Sequence, residues 1–556
     1  MTMGRGAQTI ERHMATTADG RQVHYRRAGG GMPVLLLHQS PMSSAEFEEL
    51  IAELAARYLV IAPDTPGNGL SDPLPGPLEQ SAMAEYADAL AAFMDALGLR
   101  QAALYGFHTG ALCVLEFVRR HPGRVIVAVA NGYIDNPPAM REELATNYLS
   151  PVEPEWSGGH LHWWWMRLRE QYSFFPWYRR ESACRTGYDT PEPDAMHTTM
   201  MEILRAGSHY QRPYRAAFTY DSLPAVQSAT VPLTVMVDRT DLLYPFLDQI
   251  VDPAACVDIR RPETPKEAID VLKDVLARHA TDASGPPADG LAAAATGPVA
   301  GRVWRRFVTT DVGRLYVRLN DEADGPPILF VPDALESGAR WQPVMQALVG
   351  HRRTIAIDPP GAGESADWLG DQSALTVQAD GLASALDALG VEEVDIVSRA
   401  RGAALALTLA QRLGRRARRL AVGRPIAVGS SPEYPLDAMP PIAIDALGTH
   451  FTVVWNMLRD QELYAPWFLR DAAHAITSVE PDIAPEVIHQ RTVDFFKSLH
   501  RHREITAASA SFDLRTAVKR LSRPLTWIDC APAKPVTLAA RVEGALDRDP
   551  PAAATA

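Results

Sequence analysis

The segment Asp64-Thr-Pro-Gly67-Asn-Gly69-Leu-Ser71 returns 294 residues further on as Asp358-Pro-Pro-Gly361-Ala-Gly363-Glu-Ser365. Four other segments return in the same order at nearly the same distance. Gly20-Arg21 reappears as Gly313-Arg314, Val34–Leu37 as Ile328–Val331, Gly158–Gln171 as Gly448–Gln461 and Pro232-Leu-Thr as Pro524-Leu-Thr, at spacings between 290 and 294. Ordered matches of this kind are the mark of a tandem duplication. Whatever fold the chain adopts must be one that half of its 556 residues can complete. Between the copies, residues 281–301 read TDASGPPADGLAAAATGPVAG, a Gly/Pro/Ala-rich stretch without a core-facing period. Such composition suits a connector. The expected organisation is a first domain over 1–280, a linker over 281–301 and a second domain over 302–556.

Within each copy, short β-branched and apolar runs alternate with helical patterns, as in Tyr58–Asp64, then Met83–Leu97, then Ala102–Tyr105. That alternation predicts an α/β class, with βαβ crossovers and a mostly parallel, doubly wound sheet covered on both faces. Ligands of such sheets sit beyond the carboxyl ends of the strands, so the residues that follow each strand matter most.

After Val34–Leu37 comes His38-Gln39-Ser40-Pro41, and after Ala102–Tyr105 comes Gly106-Phe107-His108-Thr109-Gly110, which runs straight into a helical pattern. A strand, a G-x-x-x-G turn and a helix in this order resemble the nucleophile elbow of the α/β-hydrolase superfamily. The resemblance spans about the whole of each copy. It implies two tandem α/β-hydrolase-like domains, each with an inserted helical lid, over about 137–225 in the first and about 434–510 in the second. It places the triad acid at Asp241, after the late strand Val231–Val237, and oxyanion-hole N–H groups on Ser40 and Thr109.

The chain departs from that pattern at the reacting groups. His108 stands where the family has its nucleophile, and Asp258–Lys266, where the family's histidine belongs, contains none. In the second copy Ala400 falls at the position of His108 and Ala533 at that of Asp241, so the familiar chemistry is lost there. Two readings of His108 stand. In one, Asp241 fixes its tautomer and raises its basicity, making a general-base dyad. In the other, His108 lines the pocket of a catalytically silent protein.

The first lid is rich in aromatics: ten His, Trp, Tyr and Phe residues, including His162, Trp163, Trp164, Trp177 and Tyr178, fall between positions 160 and 178. Trp165 and Trp177 recur as Trp455 and Trp467, which points to shared packing. His162, Trp163 and Trp164 become Thr452, Val453 and Val454 and are the better candidates for function. Gln39, His162, Trp163, Trp164, Trp177, Tyr178 and His209 are the expected substrate-binding set, for an apolar or aromatic small molecule.

Composition excludes several partners. The net charge is −13 without long like-charge runs, which argues against nucleic acid or an anionic membrane surface. The four cysteines share no ligand spacing, and no His-x-x-x-His carries a carboxylate, so neither metal nor cofactor is expected. No leader or membrane-length apolar run is seen, and a soluble, cytoplasmic chain is expected. Association with copies of itself is left open. Two functions remain in view: a hydrolase, or cofactor-free lyase or isomerase, built on His108 and Asp241, and a non-catalytic ligand-binding or scaffold protein.

Overall fold

The computed structural model of the protein describes residues 9–280, 291, 297–399, 401–423, 441–477, 479–521 and 525–547. Most of the expected linker, Ala400, the opening of the second lid and Pro524 lie outside the described residues. Contacts divide the chain into two units, Met1–Glu153 with Trp163–Gly297, and Pro154–His162 with Pro298–Ala556.

In the first unit the strands are β1 (Glu11–Thr16), β2 (Gln22–Ala28), β3 (Pro33–Leu37), β4 (Leu59–Pro63), β5 (Ala102–Phe107), β6 (Val125–Asn131), β7 (Leu233–Met236) and β8 (Val257–Arg260). They form one sheet in the order β1-β2-β4-β3-β5-β6-β7-β8. Only the β1–β2 and β2–β4 pairings are antiparallel; every pairing from β4 to β8 is parallel. Strand β3 is buried along its whole length, as a central parallel strand covered on both faces must be. Its side chains divide between the two faces by the period of two. Leu35 and Leu37 join one core with Leu90, Phe93 and Leu112, while Val34 and Leu36 join another with Ile51, Leu272 and Leu276.

Helices α1 (Glu48–Leu54), α2 (Met83–Ala96) and α3 (Thr109–Arg120) follow successive strands. Between β6 and β7 the chain leaves the sheet through α4 (Pro138–Asn147), α5 (Gly159–Ser173), α6 (Pro193–Ala206), α7 (Gln211–Thr219) and α8 (Leu223–Gln227). It closes with α9 (Pro265–His279).

The second unit repeats the plan. Its strands β9 (Trp304–Thr310), β10 (Gly313–Asn320), β11 (Ile328–Val331), β12 (Thr354–Ile357), β13 (Val394–Ser398), β14 (Ala417–Gly423) and β15 (Leu525–Ile528) are ordered β15-β14-β13-β11-β12-β10-β9. Among the described residues this is, position for position, the first sheet without its last strand. The recurring Asp-x-x-Gly-x-Gly segment has one task in both units. Asp64 accepts the Leu70 N–H at 2.8 Å and Asp358 accepts the Glu364 N–H at 2.9 Å, each carboxylate closing its own loop. Among the described residues no helix is long and apolar enough to cross a membrane.

Candidate active site

The parallel register sets the site. Leu37 pairs with Gly106, Phe107 with Asn131 and Asn131 with Met236, so the loops after β3, β5, β6 and β7 open at one edge of the sheet. The turn after β5 is tight. His108 has φ 46° and ψ −111°, a backbone state that non-glycine residues rarely hold without outside support. Part of that support is its N–H, which donates to the Asn131 carbonyl at 2.8 Å. The rest is the absence of side chains around it. A Cβ on Gly110 would stand 2.0 Å from the Leu37 carbonyl oxygen, and one on Gly132 would stand 2.6 Å from Cδ2 of the His108 ring. The strand can meet the helix, and the imidazole can pass close to Gly132, only with glycine at these places.

The turn aims the imidazole at the loop after β7. Nε2 of His108 lies 2.6 Å from Oδ2 of Asp241. Asp241 is held from its other oxygen, where Oδ1 accepts the Leu243 N–H at 2.8 Å. The Leu242 N–H donates to the hydroxyl of Tyr188 at 2.8 Å, placing that lid residue beside the acid. The His108 side chain is 27% exposed and that of Asp241 10%. Burial works against the imidazolium, but Asp241, with Glu46 and Asp238 behind it, outweighs burial and holds the His108 pKa above its ordinary value. Burial raises the Asp241 carboxyl, yet the charge and hydrogen bond of His108 bring it below the usual range. The burial of Tyr188, and the nearby Asp241 charge, push its phenol up to about 12.

The turn after β3 is braced by residues that sequence reasoning did not select. His38 donates from Nδ1 to the Gln39 carbonyl at 2.8 Å and accepts the Thr65 N–H on Nε2 at 2.9 Å. Glu46 accepts the Gln39 N–H at 3.2 Å and its side-chain amide at 2.5 Å. With both backbone groups of Gln39 engaged, the next free N–H belongs to Ser40. Among the described residues neither the Ser40 nor the Thr109 N–H has an acceptor, the latter because it opens α3. Burial pushes Glu46 up to about 7; its bonds to Gln39 and the charge of His108 oppose this, and Glu202 reinforces it. Glu46 is legible only in hindsight, as an acid in the first turn after the His-Gln-Ser-Pro segment.

The lid candidates fall elsewhere. Helix α5 buries Leu161, Trp164, Trp165 and Leu168, a helical stripe that leaves His162 exposed and Trp163 41% exposed. Trp164 is fully buried against Tyr210, and Trp163 and Trp177 meet edge to face at 5.9 Å. Trp177 donates to the Tyr148 carbonyl at 3.1 Å and Tyr178 to Glu143 at 2.9 Å. His209 is exposed, beside the backbone of Gly67. Among the described residues none of these six hydrogen-bonds or stacks with His108, Asp241 or Gln39, whereas Gln39 itself is in the braced turn. In the second unit Arg399 and Arg401 flank the elbow position, and Ala533 follows β15 where Asp241 follows β7. Among the described residues no cluster of three or more His, Cys, Asp or Glu groups is placed to hold a metal ion.

A family model described as "alpha/beta hydrolase fold" matches residues 32–151, from the start of β3 past α4. Both halves carry the α/β-hydrolase fold, in tandem. Three curated relatives are similar to this chain over about a quarter of its length. An uncharacterized hydrolase of Saccharomyces cerevisiae is 31% identical over 146 residues, 26% of this chain and 48% of the relative. A non-heme haloperoxidase of Rhodococcus erythropolis is 35% identical over 140 residues, 25% of this chain and 49% of the relative. The 2-hydroxy-6-oxo-2,4-heptadienoate hydrolase of Pseudomonas putida is 32% identical over 141 residues, 24% of this chain and 51% of the relative. The chain thus spans about half the length of these relatives.

Proposed function

We propose that the first hydrolase-fold unit is a small-molecule enzyme in which His108, oriented by Asp241, is the general base. The observation that carries this reading is the 2.6 Å contact between Nε2 and Oδ2. With Asp241 ionised, Nε2 carries the proton it donates, so Nδ1 keeps the lone pair and is the basic atom. Among the described residues Nδ1 has no hydrogen-bond partner, which leaves it available to water or substrate. It takes a proton from an attacking water, or from carbon or oxygen of the substrate, while negative charge grows on a carbonyl oxygen. The Ser40 and Thr109 N–H groups would receive that charge.

This division of labour fits hydrolysis of an ester, amide or activated C–C or C–X bond, and equally a cofactor-free lyase or isomerase step. The printed functions of the relatives, two hydrolases and a haloperoxidase, support small-molecule chemistry. The substrate we infer is apolar or aromatic, and the second unit, with Ala533 in place of the acid, is non-catalytic. A second reading, ligand holding without turnover, is favoured by one observation: no histidine stands in Asp258–Lys266 to relay a proton to a nucleophile.

One experiment separates the two. A panel of aryl esters and vinylogous 1,5-diketones is assayed with wild type, His108→Ala and His108→Ser, with intact-mass measurement of the trapped protein. General-base catalysis requires turnover in wild type, loss of about 10²- to 10⁴-fold in both variants, and no covalent adduct. Turnover that survives both substitutions overturns the assignment, and a wild-type adduct on His108 makes the imidazole the nucleophile instead.

A further inference from the structure

Among the described residues five arginines are almost fully buried: Arg26, Arg167, Arg212, Arg318 and Arg491. Four of them have a carboxylate. Arg26 pairs with Glu48, Arg212 with Glu85, Arg318 with Asp358 and Arg491 with Glu336. Arg167, on α5 and only 3% exposed, has none among the described residues. Its surroundings are neutral and aromatic. The guanidinium carbon lies 4.8 Å from the ring centre of Tyr148, 5.5 Å from that of Trp164 and 5.4 Å from that of Trp177. Gln171 accepts a hydrogen bond from Nη1, and Tyr148 lies close enough for its hydroxyl to interact with the guanidinium. Nε and Nη2 are buried with no hydrogen-bond partner.

Those two donors are not an arbitrary remainder. Nε–H and the adjacent Nη2–H point the same way and form one edge of the guanidinium fork, the edge that a carboxylate meets with two parallel hydrogen bonds. Arginine cannot escape burial by losing its proton, and rings stacked over its faces leave its in-plane donors unsatisfied. Position 457, which matches 167 at the spacing that aligns Trp165 with Trp455 and Leu168 with Leu458, is Met in the second half. The packing of that lid therefore needs no charge there. The box also connects to the reacting end. Tyr172 is in electrostatic reach of Tyr148 on one side and Glu46 on the other, and Glu46 of His108.

We propose that the Arg167 box is an anion subsite that receives the carboxylate of an aromatic or unsaturated small acid through Nε and Nη2. Its role as the anchor of the substrate rests on the reading of His108 given above; the binding itself does not. Trp164 and Trp177, the lid residues expected from the sequence to wall the substrate, act in this scheme by clamping the arginine.

The test is calorimetric titration of the full chain with benzoate, benzamide and inorganic phosphate. Benzoate is expected to saturate one site, with benzamide and phosphate much weaker. Arg167→Met should stay folded by circular dichroism and lose about 10- to 100-fold in benzoate affinity, and His108→Ala should keep it. Equal benzoate affinity in wild type and Arg167→Met, no saturable binding in wild type, or benzamide binding as well as benzoate each overturns the subsite. Phosphate competing on equal terms overturns the carboxylate assignment. Should Arg167→Met not fold, Arg167→Lys carries the test, because it keeps the charge and removes the fork; undiminished benzoate binding there overturns the proposal. A protein that binds benzoate yet turns nothing over loses the proposed function and keeps the subsite, and turnover without benzoate binding does the reverse.

Discussion

A carboxylate on Nε2 decides more about His108 than its presence at an elbow does, because it settles which nitrogen can act. Asp241→Asn removes the charge that outweighs burial, so the raised His108 pKa should fall. The sign of the effect follows from the role. A base acts unprotonated, so activity in wild type should climb with pH through the raised pKa. In Asp241→Asn that acid limb should move to lower pH while the plateau drops by about 10⁴-fold, the order seen when an orienting acid is lost. NMR titration of the imidazole checks the pKa without any assay, and an unmoved titration sinks the dyad. Stability carries the opposite sign. A His with a raised folded pKa stabilises most below its unfolded pKa of about 6.5 and ceases to as pH rises through the folded value. Glu46 gives a second expectation. Its carboxyl titrates near 7 and faces the same imidazole, so Glu46→Gln should delete one ionisation near neutrality and lower the His108 pKa. A pH–rate profile that keeps both inflections counts against it.

At the scale of elements, the elbow works only while strand, turn and helix touch without side chains between them. Gly110→Ala drives a methyl into the Leu37 carbonyl and should destabilise the first unit by about 1–3 kcal/mol or more, read from denaturant midpoints. Gly132→Ala meets the His108 ring instead. It should leave the strands paired but displace the imidazole from Asp241, lowering its pKa much as Asp241→Asn does. The mostly parallel α/β class and the strand-turn-helix order were legible in the sequence, because the alternation of apolar runs with helical patterns is local and was written twice. What was not legible is which lid aromatics face which way. His162 and Trp163 differ between the copies as strongly as Trp164, yet only the packing of α5 puts the first two outside and the third in the core. Glu46 and Arg167 escaped notice for the same reason. A charged residue in a helical pattern reads as solvent-facing until the structure shows that it is not.

At the scale of the molecule, the two copies differ around the elbow position, and the difference has a pattern. Around the second elbow the positions of Gln39, Glu46, Phe107, Thr109 and Tyr172 hold Asp333, Arg340, Arg399, Arg401 and Glu462. Asp333 accepts the Gly402 N–H at 2.8 Å, and the other four pair with one another or with Glu336, Asp482 and Arg491: Arg401 with Glu462 at 2.6 Å, Arg491 with Glu462 at 2.9 Å and with Glu336 at 2.7 Å, and Arg399 with Asp482 at 2.7 Å. The residues around this elbow position form a buried ion network within the second unit. Such networks are costly to break from one side, because the partners stay buried and charged. Burial raises the Glu462 carboxyl, but Arg401 and Arg491 outweigh it and bring it down to about 2. Its stabilisation is therefore complete above an ordinary glutamate pKa of about 4.3 and fades as pH falls from there toward 2. Glu462→Gln leaves Arg401 without its carboxylate and Arg491 with Glu336 alone, and should destabilise the second unit by about 3–5 kcal/mol at neutral pH, while flattening the acid dependence of its unfolding in that window. Turnover by the first unit, measured well below the transition temperature, should not change. Calorimetry of wild type and variant from pH 7 to pH 2 checks the first two expectations. A neutral-pH stability within error of wild type would show the network to be decoration on a fold that packing alone secures.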